Sequence, residues 1–218
     1  MQNKIEVIKE IVKKELSQCP AHNFDHVMRV YNLAVRIAKL ENVDLEVIEA
    51  AAILHDIGGE KEVNDPSGNT DHAVESAKMA EPILKELGYQ EEKIKHIQDC
   101  ILSHRYRNNR EPKTKEAEII FDADKLETLG AIGIARAFVW TGKNKANIYK
   151  KVDDIEEYAR ENLGGSIKGR IQDKTKHSPQ IGWETKGKYI MNILHTEAAK
   201  EIAEERRKFS IEFFDRLE

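Results

Sequence analysis

Hydrophobic residues recur along most of the chain at the three- and four-residue steps of an amphipathic helix. Ile5, Ile8 and Val12 mark the first such face, and Val27, Val30 and Ala34 mark the second. The pattern predicts helices over about 5–16, 27–41, 44–56, 71–88, 91–104, 114–140, 153–163 and 189–217. No segment sustains the period-two alternation of a half-buried strand, so the predicted fold class is all-α.

Polar residues and glycines predict where several helices begin and end. Asp44 is the expected N-cap of the third helix, and Gly58 with Gly59 is expected to end it. Gly130 and Gly133 are expected to loosen the long sixth helix.

The pattern of apolar and polar residues changes after Trp140. The stretch 166–188 is polar, basic and without a pattern, and includes Lys168 and Arg170. A structureless segment of that length is usually a lid, a binding loop or disordered. We therefore predict a helical core over 1–140. We expect residues 141–218 to form a polar loop or lid and a C-terminal helix that packs back on the core, within one domain overall.

The amino-acid composition and the net charge indicate the class of protein. Of the 218 residues, 40% are hydrophobic and 34% are charged, which is typical of a globular rather than a disordered chain. The net charge of -4 predicts no bulk attraction to nucleic acid or to an anionic membrane. The charged N-terminus, the absence of a long apolar run and two isolated cysteines, Cys19 and Cys100, predict a cytoplasmic protein with reduced thiols.

The first candidate for chemistry is His55–Asp56, which follows the apolar run Ala50–Leu54. Two strongly polar groups at the edge of a core cost free energy unless they are paired or bind a ligand. For the dipeptide alone, a hydrogen-bonded pair that caps the helix is the simpler interpretation.

Two further residues change that interpretation. His26 lies on a helix whose other face is apolar, and Asp124 lies in an apolar run that also contains Asp122. A ligand set of imidazoles and carboxylates without thiolate suits Mn, Fe, Ni, Co or Mg better than structural zinc.

The order of these residues is similar to that of a known family. The strings that carry the resemblance are DHVMRV (25–30), AILHDI (52–57), HAVESA (72–77), SHR (103–105) and DADKLE (122–127). They resemble the signature blocks of the HD-domain metal-dependent phosphohydrolase superfamily. GAIGIARAF (130–138) and the segment 196–206 resemble a subgroup of small, stand-alone bacterial and archaeal members, some of which act on nucleoside triphosphates.

The resemblance implies an HD-domain helical bundle whose metal-binding core covers 1–140. It makes four residues the ligands of a divalent ion: His26, His55, Asp56 and Asp124. It also places His72 and His104 in the catalytic site, where they either hold a second ion or act on the substrate. The alternative is that His72 is an ordinary first-turn residue and His104 a helix-end cation. His22 is expected to support the site or cap a helix.

Three cations are candidates for binding substrate phosphate. Arg29 lies one turn after His26, Lys125 follows Asp124, and Arg136 lies in an apolar run. Solvated surface positions explain Arg29 and Lys125 equally well, and a buried ion pair explains Arg136 equally well.

The predicted activity is metal-assisted hydrolysis of a nucleotide or another small phosphate ester. The phosphate-binding motif G-x-x-x-x-G-K is absent from the sequence, which excludes a P-loop mechanism. Subgroup resemblance favours cleavage of a nucleoside triphosphate to the monophosphate and pyrophosphate. The alternatives are a dinucleotide phosphodiesterase, a phosphomonoesterase and, in another class, a metal-bearing nucleotide sensor without turnover.

Overall fold

The structure is a computed structural model that describes residues 3–16, 23–105, 110–167 and 169–217. Within these ranges the chain forms eleven α-helices, two 3-10 helices and no strand, which confirms the all-α prediction. The predictions for Cys19, His22 and Lys168 lie outside the described residues.

The α-helices are α1 (Lys4–Glu15), α2 (Phe24–Ala38), α3 (Leu45–Leu54), α4 (Gly59–Val63), α5 (His72–Glu86), α6 (Glu91–Ser103), α7 (Lys115–Leu126), α8 (Gly130–Lys143), α9 (Ile155–Asn162), α10 (Pro179–Thr185) and α11 (Glu197–Arg216). The 3-10 helices are Lys174–Lys176 and Gly187–Ile193.

Aspartates cap three of the described α-helices. The side chain of Asp44 accepts hydrogen bonds from the backbone N–H groups of Glu46 and Val47 at the start of α3, as predicted. Asp71 caps α5 and Asp154 caps α9 in the same way. Each carboxylate thus satisfies N–H groups that have no partner inside the helix.

The chain divides into two compact units, Met1–Asp124 and Lys125–Glu218. In the first unit α3 packs against α1, α2, α5 and α6. Seven of its ten residues are buried, so α3 is a central helix with apolar residues on nearly every side. The residue that follows it, His55, is therefore also buried.

The second unit contains a small core around α9 and α10. Tyr158, Ala159, Leu163 and Ile181 are buried there, and Ile171 is among the partly buried residues that pack on them. The stretch 166–188, predicted to lack regular structure, contains the first 3-10 helix, α10 and the start of the second 3-10 helix. Its few apolar residues are too widely spaced to show a helical period, although Ile167 and Ile171 pack on this core and Ile181 belongs to it.

The predicted helix over 114–140 is in fact two helices, α7 and α8, which are interrupted at residues 127–129. Gly130 adopts a φ of 71°, which is accessible to glycine at little cost. Its N–H donates to Ser210 Oγ at 2.8 Å, and Arg206 donates to the carbonyl of Leu126 at 2.7 Å. Side chains of α11 thus satisfy backbone groups at the interruption.

One further helix boundary differs from the prediction. Helix α11 begins at Glu197 rather than near residue 189, because Thr196 is its N-cap and the preceding residues form a 3-10 helix. Helix α3 ends at Leu54, before the two glycines as expected, and Gly59 itself begins the short helix α4.

The predicted division of the chain at residue 140 and the predicted cytoplasmic location stay predictions. Within the described residues, no helix combines the length and the apolar character needed to span a bilayer.

Candidate metal centre

The residues predicted to bind metal or to act in catalysis come from five helices or helix ends of the first unit. His26 lies on α2, His55 and Asp56 follow α3, and Asp124 lies on α7. His72 is the first residue of α5, and His104 follows α6.

One oxygen of Asp56 lies close to the predicted primary ligands. Asp56 Oδ2 is 3.6 Å from His26 Nε2 and also 3.6 Å from His55 Nε2. Asp124 Oδ1 is 3.6 Å from the same nitrogen of His26. These distances are too long for hydrogen bonds. They suit atoms that each lie about 2.0–2.2 Å from one shared ion, because such atoms are then about 3–4 Å apart.

The other oxygen of Asp56 lies close to a second pair of histidines. Asp56 Oδ1 is 3.5 Å from His72 Nε2 and 3.6 Å from His104 Nε2. The two imidazole nitrogens are 3.1 Å apart. Two nitrogen lone pairs at that distance repel each other unless a proton or a cation lies between them. Asp56, His72 and His104 therefore form a second group that could hold an ion.

The protonated nitrogen of His55 is fixed by the helix that precedes it. His55 Nδ1 lies 2.8 Å from the carbonyl oxygen of Ala52, so Nδ1 carries the proton and Nε2 carries a lone pair. That Nε2 is buried and has no hydrogen-bond partner among the described residues. A buried nitrogen without a partner is costly in a protein core, and a metal ion would satisfy it. His104 Nδ1 bonds the carbonyl of Ile101 in the same way, three residues back.

The charge states of the central residues also suit metal binding. Burial lowers the pKa of His55 to about 4, so this imidazole is neutral near pH 7, as a ligand must be. Burial by itself raises the pKa of Asp56, but the surrounding histidines, His55 foremost, hold it well below its usual range. Asp56 is therefore an ionised carboxylate.

Sequence reasoning missed Glu62, which lies on α4. Its Oε2 accepts hydrogen bonds from the backbone N–H of His72 at 3.0 Å and from His72 Nδ1 at 2.6 Å. Arg105 lies 2.9 Å from both carboxylate oxygens of Glu62 and 2.6 Å from Asp71. No motif signals Glu62, since ten residues separate it from His72. The only indication in the sequence is that the residues after Gly59 are mostly polar and show no helical period.

The turn after Asp56 brings backbone against backbone. The N–H of Gly58 donates to Ser76 Oγ at 2.9 Å, and a Cβ at residue 58 would lie 2.6 Å from the backbone nitrogen of Ser76. Only glycine allows this approach. Because Ser76 lies one turn after His72 on α5, the contact fixes the distance between α5 and the end of α3.

The three predicted phosphate-binding cations have different surroundings. Arg29 is half-buried on α2, one turn after His26, and Lys125 is buried on α7 as the first residue of the second unit. Arg136 donates to the carbonyl of Glu127 at 3.0 Å, and its guanidinium is 4.0 Å from the buried Glu127 carboxylate. Arg136 thus has the partner that the ion-pair alternative requires. The substrate-binding roles of all three stay predictions.

Known proteins resemble this chain in sequence and in structure. The model of the HD domain family matches residues 23–129. The uncharacterized protein YpgQ of Bacillus subtilis is 28% identical over 201 residues, which is 90% of this chain and 83% of YpgQ. The crystal structure of YpgQ in complex with ADP has a TM-score of 0.70 and 25% identity, and the match covers 98% of this chain and 95% of that one.

Two other proteins extend the comparison. An HD-superfamily hydrolase from Bacillus thuringiensis has a TM-score of 0.67 and 25% identity, over 98% of this chain and 92% of that one. The 3'-5' exoribonuclease YhaM of Bacillus licheniformis is 34% identical over 116 residues, 47% of this chain but only 37% of YhaM. The family match, the related structures and the arrangement of His and Asp residues lead to one conclusion: the chain belongs to the HD-domain hydrolase superfamily.

Proposed function

We propose that this protein is a metal-dependent phosphohydrolase that acts on nucleotides and cleaves a nucleoside triphosphate to the monophosphate and pyrophosphate. One observation carries the proposal. The carboxylate of Asp56 lies within 3.6 Å of the Nε2 atoms of four histidines: His26, His55, His72 and His104. A core position with four imidazole nitrogens around one carboxylate is typical of a metal site rather than of ordinary packing.

His26, His55, Asp56 and Asp124 would hold the ion. A divalent ion at such a site supplies Lewis acidity, which polarises a phosphoryl oxygen and lowers the pKa of water. Mn, Fe, Ni, Co and Mg all suit this mixture of imidazole and carboxylate donors.

His72 and His104 would act next to that ion. In the proposed mechanism Glu62 keeps the His72 ring in one orientation, and His72 or His104 gives a proton to the leaving group. In the alternative, the same two nitrogens and Asp56 Oδ1 hold a second ion. Arg29, Lys125 and Arg136 are the proposed partners of substrate phosphate oxygens.

The nucleotide part of the proposal is supported by the YpgQ complex with ADP, since the two chains match over nearly their whole length. The triphosphate part rests on the resemblance of 130–138 and 196–206 to the subgroup that includes triphosphate hydrolases. The similarity to the exoribonuclease YhaM favours a second candidate, hydrolysis of a phosphodiester such as a dinucleotide. A phosphomonoesterase and a nucleotide sensor without turnover are the remaining alternatives.

A metal-by-substrate panel tests the proposal. Full-length protein is stripped with a chelator and reloaded separately with Mn, Mg, Co, Ni or Fe. Each form is then assayed with nucleoside triphosphates, monophosphates and a cyclic dinucleotide, and the products are separated by anion exchange. Monophosphate with pyrophosphate is the expected product pair, whereas diphosphate with phosphate would contradict the proposed cleavage.

Two variants make the panel decisive. Asp56→Asn should abolish hydrolysis, and His96→Ala, which removes a histidine outside the site, should not. Tight nucleotide binding without turnover under any metal would overturn the enzymatic proposal and favour the sensor.

A further inference from the structure

Glu62, Asp71 and His72 form a further group of potential metal ligands in the first unit. One donor atom of each residue lies within 4.8 Å of a donor atom of the other two. The group meets the candidate metal centre at His72, whose Nε2 faces Asp56 while its Nδ1 is 2.6 Å from Glu62 Oε2. Two carboxylates and an imidazole suit the same divalent ions as the ligands around Asp56. By its ligand chemistry, this group would therefore compete with Asp56 for an ion.

The guanidinium of Arg105 lies inside this group. Its Nη1 is 2.6 Å from Asp71 Oδ1 and 2.9 Å from Glu62 Oε2, and its Nη2 donates to Glu62 Oε1 at 2.9 Å. The side chain of Arg105 is 15% exposed. Nη1 thus takes the position between the two carboxylates that an ion shared by them would need. The charge of a guanidinium is permanent and its fork of N–H groups fits a carboxylate, so this cation, unlike a bound ion, does not dissociate.

A second arginine, Arg110, lies near the group but outside it. Arg110 is 43% exposed, and its Nη1 is 3.8 Å from Asp71 Oδ2, which is too long for a hydrogen bond. A charge that is so exposed is screened by water and contributes little to the interaction. Arg110 is therefore a matched comparison for Arg105, because it has the same chemistry and lies beside the same aspartate.

The occupant of this group determines whether His72 presents a lone pair to Asp56. A neutral imidazole carries one proton, and here that proton lies on Nδ1, in the hydrogen bond to Glu62. A metal ion in the group would need the lone pair of Nδ1 instead. The proton would then move to Nε2, and Nε2 would no longer be able to bind an ion beside Asp56.

We propose that Arg105 is a built-in cation that fills this group of ligands and so keeps metal ions out of it. A divalent ion placed beside the guanidinium is repelled by it, so ions that enter the region are left with the ligands around Asp56. Arg105 is a positioning residue in this role, since it acts on the candidate metal centre through Glu62 and His72. The proposal concerns ion binding and goes beyond the proposed hydrolysis, on which it does not depend.

Counting the ions bound to full-length protein tests the proposal. Wild type and Arg105→Ala are stripped with a chelator, dialysed against millimolar manganese chloride and measured by elemental analysis. Arg105→Ala is expected to bind about one more ion per chain than wild type, because the two carboxylates are left without their cation. Arg110→Ala, the matched control, is expected to bind as many ions as wild type. These counts use no substrate, so their outcome is separate from that of the proposed hydrolysis.

Two further measurements locate the additional ion. It should be lost in the double variant Arg105→Ala/Asp71→Asn, since asparagine retains the N-cap of α5 but not the charge. Guanidinium chloride at roughly 50 mM, far below its denaturing range, should displace the ion from Arg105→Ala, whereas sodium chloride at the same concentration should not. If Arg105→Ala does not fold, Arg105→Gln replaces it, because glutamine keeps hydrogen-bond donors without the charge and should also bind the additional ion.

Three results would each overturn the proposal. The first is an equal ion count in wild type and in folded Arg105→Ala or Arg105→Gln. The second is an additional ion that persists after Asp71→Asn. The third is a crystal of the wild type, grown in excess manganese, with an ion bound to Glu62 and Asp71.

Discussion

Glu62 accepts two hydrogen bonds from His72, one from the backbone N–H at 3.0 Å and one from the ring Nδ1 at 2.6 Å. The carboxylate thereby keeps a proton on Nδ1 of His72 and directs Nε2 of the same ring towards Asp56. Arg105 in turn holds Glu62 from the end of α6. The orientation of His72 thus depends on two residues, Glu62 and Arg105, that are not among the four predicted metal ligands.

Glu62→Gln tests this dependence. The amide retains the shape of the side chain but loses its charge, so His72 should be held less firmly and kcat should fall about 10-fold or more. Steady-state kinetics with parallel metal analysis is the measurement. Glu81→Gln, which weakens an exposed ion pair with Lys85 outside the predicted site, is the control and should leave kcat and metal content unchanged. Unchanged kcat and metal content in Glu62→Gln would contradict the assigned role.

His55→Ala and Asp56→Ala test the predicted metal site. Each removes a ligand, so elemental analysis should find little bound metal and assays should find no hydrolysis. Circular dichroism should find helix content close to wild type, because both residues follow α3 rather than lie within it. Equal metal content in wild type and both variants would refute the assignment, and His96→Ala serves as the control for loss of a histidine.

The number of ions per chain tests the role of His72 and His104. If they hold a second ion with Asp56 Oδ1, protein saturated with manganese should contain two ions about 3.5–4 Å apart. His104→Ala should then reduce the count to one. A crystal grown in excess manganese with one ion and both imidazoles uncoordinated would assign them to the substrate or to proton transfer instead.

We expect His177, in the second unit, to make the free energy of unfolding depend on pH. Burial lowers the pKa of His177 to about 4, and its Nδ1 is 2.8 Å from the hydroxyl of Tyr158. An unfolded histidine titrates near 6.5, so between about pH 6.5 and 4 the unfolded chain binds a proton that the folded chain does not. The stability that His177 contributes is therefore complete above pH 6.5 and is lost as the pH falls towards 4, by at most about 3 kcal/mol.

Denaturant unfolding at pH 7 and pH 5 measures this effect. His177→Gln, which cannot titrate, should lose less stability between the two values than the wild type. His195→Gln, at an exposed position of the same unit, should follow the wild type. Identical losses in His177→Gln and wild type would contradict the prediction.

The predicted lid needs a test that spares the core of the second unit. Replacing 166–182 by a Gly/Ser linker would remove Ile181, which is 1% exposed, and should unfold that unit. The exposed Lys174 and Lys176 can instead be changed to serine together. If the segment closes over an anionic substrate, KM for the nucleotide should rise while metal content stays constant. An unchanged KM would show that these lysines do not contact substrate.

Local signals in the sequence predicted much of the first unit. Asp44 caps α3 as expected, and Asp71 caps a helix that was predicted to begin near it. Each of the four predicted metal ligands lies in a run of buried residues, which brings them together in the core. Such runs can be recognised from the sequence. The four are His26, His55, Asp56 and Asp124. Their assignment as ligands stays a prediction.

Long-range contacts explain what the sequence did not predict. The interruption between α7 and α8 depends on Ser210 and Arg206, about eighty residues further along the chain, and no local pattern indicates them. Helix α4 is only five residues long and carries Glu62, whose partner His72 lies across a turn. The core around Ile181 is likewise assembled from widely spaced residues.

The backbone contact at Gly58 limits which amino-acid substitutions the site can accept during evolution. Most positions around the metal centre can in principle exchange one donor for another, such as aspartate for glutamate, and retain some affinity. Residue 58 has no acceptable substitute, because even the Cβ of alanine would push Ser76, and with it the start of α5, away from α3. A saturation library at this codon selected for turnover should therefore return glycine alone, which makes spacing, rather than ligand chemistry, the least replaceable part of the site.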